Sequence, residues 1–141
     1  MRNAFKIFIA TAAVVAISLT LSWPYMKLEF AESAHYTEQD QREYEFFTPE
    51  ILKKMPRIAS RYEFDFANIT GPAAHVYAVK FYDTEDTSKI DAYLTSLGYK
   101  SQGSCNIDNV CWRGADLTET VMVRPLKSEK GLAVQIVYEF K

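Results

Sequence analysis

Hydrophobic positions along this chain follow three different rhythms. From Ile7 to Met26 the run IFIATAAVVAISLTLSWPYM carries no charge and no polar face. A helix of about 20 such residues, rising 1.5 Å each, spans a hydrocarbon core of about 30 Å. Further on the rhythm is alternation. Tyr62, Phe64 and Phe66 alternate with Arg61, Glu63 and Asp65 within Arg61–Asn68, and Tyr77, Val79 and Phe81 share one face of His75–Tyr82. Such a period of two predicts strands with one apolar face, and Thr70-Gly71-Pro72 predicts the corner between them. The third rhythm is helical. Ile90, Tyr93, Leu94 and Leu97 recur at i, i+3, i+4 and i+7 and Gly98 supplies a stop, which predicts a helix over about 87–97.

The last third alternates again. Tyr99–Cys105 and Val110–Arg113 flank a short polar loop, Thr118–Pro125 places Val121 and Val123 on one face, and Leu132–Phe140 alternates without a fault. Earlier, Thr37 with Asp40 offers a weak capping pair for a short helix. Thr48-Pro49-Glu50 offers a stronger start: a capping threonine, proline at the first helical position and an acid in the first turn. The helix carrying Ile51, Leu52 and Met55 must stop before Pro56, because the residue preceding a proline avoids helical geometry. Two strands, a helix, then three or four strands imply an α+β fold. The expected architecture is a mainly antiparallel sheet with the principal helix (about 87–97) packed on one face. The organisation expected is a signal-anchor helix over 1–30, a juxtamembrane connector over 31–47 and an extracytoplasmic domain over 48–141.

The apolar start reads as a retained anchor rather than a cleaved signal. Its uncharged stretch exceeds the usual core of about 7–15 residues. Cutting after Ala31 or Ala34 puts Glu29 or Glu32 where a small residue belongs, and cutting after Ser22 leaves Trp23 and Pro24 just beyond. Trp23 and Tyr25 suit the interfacial aromatic belt, with Lys27 at headgroup depth. Arg2, Lys6 and the terminal amine precede the run, so basic residues favour a cytoplasmic amino terminus with everything from about Lys27 outside. The expected location is a bacterial inner membrane crossed once by residues 7–26, with the domain in the periplasm.

Charge narrows the partners. Residues 35–141 hold 13 Lys and Arg against 16 Asp and Glu, a balance near −3 without the clustered basic face that nucleic acid requires. Cys105 and Cys111, the two cysteines of the chain, have five residues between them. Thioredoxin-like redox chemistry wants two intervening residues, and metal ligation wants more Cys or His than His35 and His75 supply. In an oxidising compartment the pair reads as a structural disulfide. Asp83, Glu85 and Asp86 precede the principal helix, where caps and the macrodipole favour acids, and no calcium-loop glycine accompanies them. His75 sits at a strand end and His35 in the connector. Asn68-Ile69-Thr70 matches a glycosylation sequon, which matters only in a eukaryotic secretory pathway.

No nucleophile elbow, phosphate-cradling glycine loop or His-Glu-x-x-His helix is present, so neither catalysis nor a cofactor is expected. The chain is rich in aromatics, with nine Tyr, nine Phe and two Trp. Most fall on apolar faces, whereas Tyr82, Trp112 and part of Tyr44–Phe47 fit that pattern least. Tyr and Trp are enriched at interface hot spots, and a closed loop lowers the ordering cost of binding. Ile107, Trp112 and Tyr82 are therefore the candidate binding residues. The functional expectation is a membrane-tethered periplasmic protein-binding module, such as an inhibitor or immunity-type protector against an envelope-acting toxin. The alternatives are an accessory subunit of an envelope or secretion complex, whose anchor helix also packs through Ala10, Thr11, Ala12, Ala13, Ala16 and Ser18, and then a small envelope enzyme.

Overall fold

A computed structural model of the chain describes residues 1–140. The chain forms two compact units, Met1–Ala31 and Glu32–Lys141. The first is one helix, α1 (Arg2–Glu29), with no buried residue. It is long and apolar enough to cross a membrane, with a mean hydropathy of 2.1 over its most apolar window. Three of its hydroxyls are satisfied within the helix. Thr11, Ser18 and Thr20 donate to the carbonyls of Ile7, Val14 and Ala16 at 2.8–2.9 Å, as hydroxyls on an apolar helix must in the absence of water.

The second unit is α+β. It comprises β1 (Ser33–Tyr36), α2 (Gln41–Phe47), α3 (Glu50–Lys53), β2 (Tyr62–Thr70), β3 (Ala73–Tyr82), α4 (Ser88–Ser96), β4 (Lys100–Asn106), β5 (Asn109–Arg113), β6 (Glu119–Pro125) and β7 (Gly131–Glu139). The strands make one seven-stranded sheet in the order β1-β2-β3-β7-β6-β5-β4, and every neighbouring pair is antiparallel. Two meanders thus meet at β3 and β7, and α4 carries the chain from the middle of the sheet to its far edge. Where they meet, Gly131 lies opposite Tyr82. A Cβ there would collide with the Phe81 carbonyl oxygen and lie 2.6 Å from the Leu126 side chain, so the centre of the sheet closes only around a glycine.

Register turns the alternation seen in the sequence into a core. One row of paired residues runs Phe66, Tyr77, Ile136, Val121, Trp112 across five strands. The adjacent row runs Phe64, Val79, Val134, Val123 and Val110. Ile90 and Leu94 of α4 are fully buried together with Phe64, Val79, Val121, Val134 and Ile136, so the helix packs on this face. Leu97, expected on the same stripe, is instead 49% exposed. The helix has closed before it: the Tyr99 and Gly98 N–H groups donate to the carbonyls of Leu94 and Thr95, and Gly98 adopts φ +87°. This is a Schellman stop, which needs the left-handed conformation glycine tolerates. On the reverse face, Lys80 pairs with Asp65 at 2.6 Å and His35 lies 2.6 Å from Asp65 and 3.3 Å from Glu63. That face is solvated, as antiparallel sheets allow.

Residues 31–47 are not a connector. Ser33–Tyr36 pair with Phe64–Ala67 as an edge strand, and α2 contributes the buried Phe47, which stacks on Phe66 with centroids 4.6 Å apart. The capping assignments also move. Asp40, not Thr37, precedes α2, and its carboxylate accepts the Thr37 N–H at 2.9 Å. Thr48 does not cap α3. It is buried and shares a 2.9 Å hydrogen bond with the Tyr36 hydroxyl, and Pro49 occupies the position before the helix. At the other end of the helix, Arg57 donates to the carbonyls of Leu52 and Met55 at 2.7 and 3.0 Å and to Glu38 at 2.7 Å.

Candidate functional site

The β4–β5 hairpin is built by its own short-range chemistry. Asn106 faces Asn109 across the turn. The Asn106 side-chain oxygen accepts the Ile107 N–H at 2.9 Å, and its carbonyl accepts the Ser104 hydroxyl at 2.9 Å. Cys105 and Cys111 are bonded, with Cα atoms 5.7 Å apart. The register of β4 against β5 slips twice between Ser101 and Asn106. Such irregularity on an edge strand discourages edge-to-edge pairing with another chain. The covalent bridge compensates for the weak ladder, closing the hairpin where few regular hydrogen bonds do so.

Ile107 stands at the tip and is 93% exposed. It lines an open trough with Asp108 and Asn109 on one side and Arg124, Lys127 and Gln135 on the other. An apolar side chain held this far into solvent gains nothing from the fold, and its conformation is restrained by a covalently closed loop.

The other two candidates are corrected by the structure. Trp112 is 7% exposed, because β5 places it on the core face opposite Val121 and Ser101. Tyr82 is 8% exposed. The Arg61 guanidinium lies 4.1 Å from its ring centroid and its hydroxyl donates to Glu63 at 2.9 Å. Burial first, and the Glu63 carboxylate second, push its phenol up to about 12. Neither ring presents a surface to a partner, and of the three only Ile107 does.

Trp112 borders a different feature. A cavity of about 250 Å³ lies between the start of α4 and the sheet, floored by Val110, Trp112, Val123 and Leu132. Its rim carries Glu85, Asp91, Asp108 and Arg124. The indole Nε1 is buried and has no hydrogen-bond partner among the described residues. Such an orphan donor costs about 1–3 kcal/mol. The three acids ahead of α4, read together as caps, divide their work. Asp86 accepts the Ser88 N–H at 3.0 Å and serves the helix start, and Asp83 pairs with Arg61 at 3.5 Å. Glu85 serves neither role and sits on the cavity rim. Sequence periodicity had no means of bringing Glu85 together with Asp108 and Arg124, which the pairing of β5 with β6 and the crossover of α4 place around one cavity.

At the opposite end of β6, Glu119 is buried. The Tyr99 hydroxyl donates to it, and Tyr138 faces it from β7. Burial first, and this carboxylate second, hold both phenols well above the ordinary tyrosine range. The group is an internal polar contact that ties Tyr99, just after α4, to β6 and β7. Among the described residues, no group of three or more His, Cys, Asp or Glu is placed to hold a metal ion. Comparison with protein-family models, curated proteins and solved structures finds no match to this chain.

Proposed function

We propose that this protein is a membrane-tethered protein-binding module that works outside the cytoplasm, with α1 anchored in a bacterial inner membrane and Glu32 onward in the periplasm. The observation that carries the reading is Ile107, an apolar side chain 93% exposed at the tip of a disulfide-closed hairpin beside an open trough. Rigid presentation of an apolar anchor reduces the ordering cost of association. The disulfide fits an oxidising compartment, and the basic residues in the first turns of α1, Arg2 and Lys6, favour a cytoplasmic amino terminus. A protector or inhibitor of an envelope-acting protein matches a small domain held at the membrane by one helix.

The test is a photocrosslinking side chain at Lys127, across the trough from Ile107, in cells that make the full chain. A discrete adduct that disappears on Ile107→Asp is expected, while the same probe at Leu117, 76% exposed, gives none. Adducts that are indifferent to Ile107→Asp would remove the hairpin as the binding element. A carboxyl-terminal reporter enzyme that needs export for activity should be active, and activity only from a cytoplasm-dependent reporter would reverse the orientation.

A further inference from the structure

We infer that the end of the sheet where the chain enters from α1 docks on a lipid bilayer, its turns seated at the boundary between headgroups and acyl chains. Strand register collects exposed apolar side chains at this end. The Glu32 carbonyl accepts the Asn68 N–H at 2.8 Å, the Thr118 carbonyl accepts the Glu139 N–H and the Ala73 carbonyl accepts the Phe140 N–H. Asn68, His75, Tyr138 and Glu119 follow one another across the strands at the level of Glu32. Ile69, Leu117 and Phe140 lie just beyond that level, and they are 42%, 76% and 54% exposed. Single exposed apolar residues are ordinary. Three of them in neighbouring turns, beside Gly71-Pro72, form the kind of patch that marks an interaction or membrane surface. Next to them His75, Tyr77, Tyr138 and Phe140 line an open hollow. Histidine and tyrosine join an apolar body to a polar tip, the amphipathic form that suits a membrane interface.

The two ends of the sheet differ in charge. Residues 70–73 and 114–118, the turns at the entry end, contain one charged side chain, Asp116, whose carboxylate accepts the Thr118 N–H and hydroxyl. Arg113 and Glu139 border these turns with cancelling charges. Residues 83–87 and 126–130, the connections at the other end, contain six: Asp83, Glu85, Asp86, Lys127, Glu129 and Lys130. The tether identifies the occupant. Helix α1 ends at Glu29 and β1 begins at Ser33, and four residue steps reach at most about 14 Å. So short a link holds the bilayer at an effective concentration of about millimolar or more, and a patch too small to capture vesicles from solution is then sufficient. Seating this end turns the β4–β5 hairpin away from the lipid. Ile107 stands at the far end, and the nine residues of β7 separate the ends by about 30 Å. The inference rests on α1 being anchored in a bilayer and is independent of what binds at Ile107.

The experiment places the full chain in vesicles of phosphatidylethanolamine and phosphatidylglycerol, with plain acyl chains or chains brominated near the headgroup, and reads tryptophan emission. In the unaltered chain, brominated lipid should quench Trp23, which reports the anchor. On a Trp23→Phe background, with Trp112 as the blank, Leu117→Trp and Phe140→Trp should each lose about half or more of the added emission to brominated lipid, because side chains seated about 5–10 Å into the boundary touch the brominated carbons. Both should resist iodide. Ile107→Trp should do the reverse, keeping its emission in brominated vesicles and losing it to iodide. Adding Ile69→Asp and Phe140→Asp to the Leu117→Trp chain should restore emission in brominated vesicles. An unquenched Trp23 removes the anchor and the seating together. Quenched Trp23 with Leu117→Trp and Phe140→Trp both bright overturns the seating alone. Protection from iodide without quenching by brominated lipid puts a protein on the patch instead. That result, quenching that survives the double substitution, or equal quenching of Ile107→Trp would each overturn the assignment.

Discussion

Burial decides what single residues do here, and two of them show it most clearly. Tyr36 stacks between Phe47 and Phe64, with centroids 5.8 and 5.7 Å away, and burial pushes its phenol up to about 12 despite the hydrogen bond with Thr48. Tyr82 is raised to about 12 as well. Tyrosines in the unfolded chain lose their protons near pH ~10. Above that pH the unfolded state binds fewer protons than the folded one, so stability is fully present below pH ~10 and is lost as pH climbs through about 12. Thermal melts between pH 8 and pH 12 should show a falling midpoint above about pH 10, and Tyr36→Phe should flatten that fall while lowering the midpoint slightly at neutral pH. Trp112→Ala should cost about 3–5 kcal/mol in denaturant titrations, the range for truncating a buried aromatic. A surface tryptophan would cost far less, so the measurement separates the core position seen here from a partner contact.

At the scale of elements, the hairpin and the helix contrast in what holds them. The Schellman stop and the buried pair Ile90 and Leu94 give α4 both a local and a tertiary reason to form. The β4–β5 hairpin has a slipped register and a β4 strand exposed along its whole length, so the disulfide carries more of its order. The loop it closes is short, and the chain-entropy model assigns it only about 2 kcal/mol. Cys105→Ser with Cys111→Ser should lower the denaturant-derived stability by about that amount and leave the domain folded. The larger effect should appear in hydrogen exchange, with faster exchange at the Asn106–Val110 amides and unchanged exchange at the centre of β3 and β7.

At the scale of the molecule, the chain divides into an apolar helix and a domain with its own core. All of the domain's paired strands and buried aromatics lie within Glu32–Lys141, so 32–141 made without α1 should fold. Cooperative thermal unfolding and a native-like near-ultraviolet dichroism spectrum would check it. A tethered binding module also predicts the outcome of exchanging α1 for an unrelated single-pass anchor: binding at the Ile107 surface survives. Loss of binding with normal membrane insertion would move the reading to a subunit whose anchor makes specific helix contacts.

Short-range patterns in the sequence were enough to determine α1, the two faces of β2, β3 and β7, the helix ending at Gly98 and the proximity of Cys105 and Cys111. Each depends on periodicity or on contacts between residues near in sequence, which local chemistry specifies. Ser33–Tyr36 carries no such signal. Four mixed residues become a strand because Phe64–Ala67 offers them a free edge, and the stretch therefore passed for a connector. Thr48 has the composition of a cap, but Tyr36 competes for its hydroxyl from twelve residues away. Trp112 follows a cysteine in an exposed hairpin, yet its neighbours across the sheet enclose it. The cavity is the extreme case: Glu85 meets Asp108 and Trp112 of the β4–β5 hairpin and Arg124 of β6 only because α4 crosses to the far edge. Periodicity states which face of a strand is apolar, while only the packing of distant elements decides which part of that face is covered and which charges are left facing it.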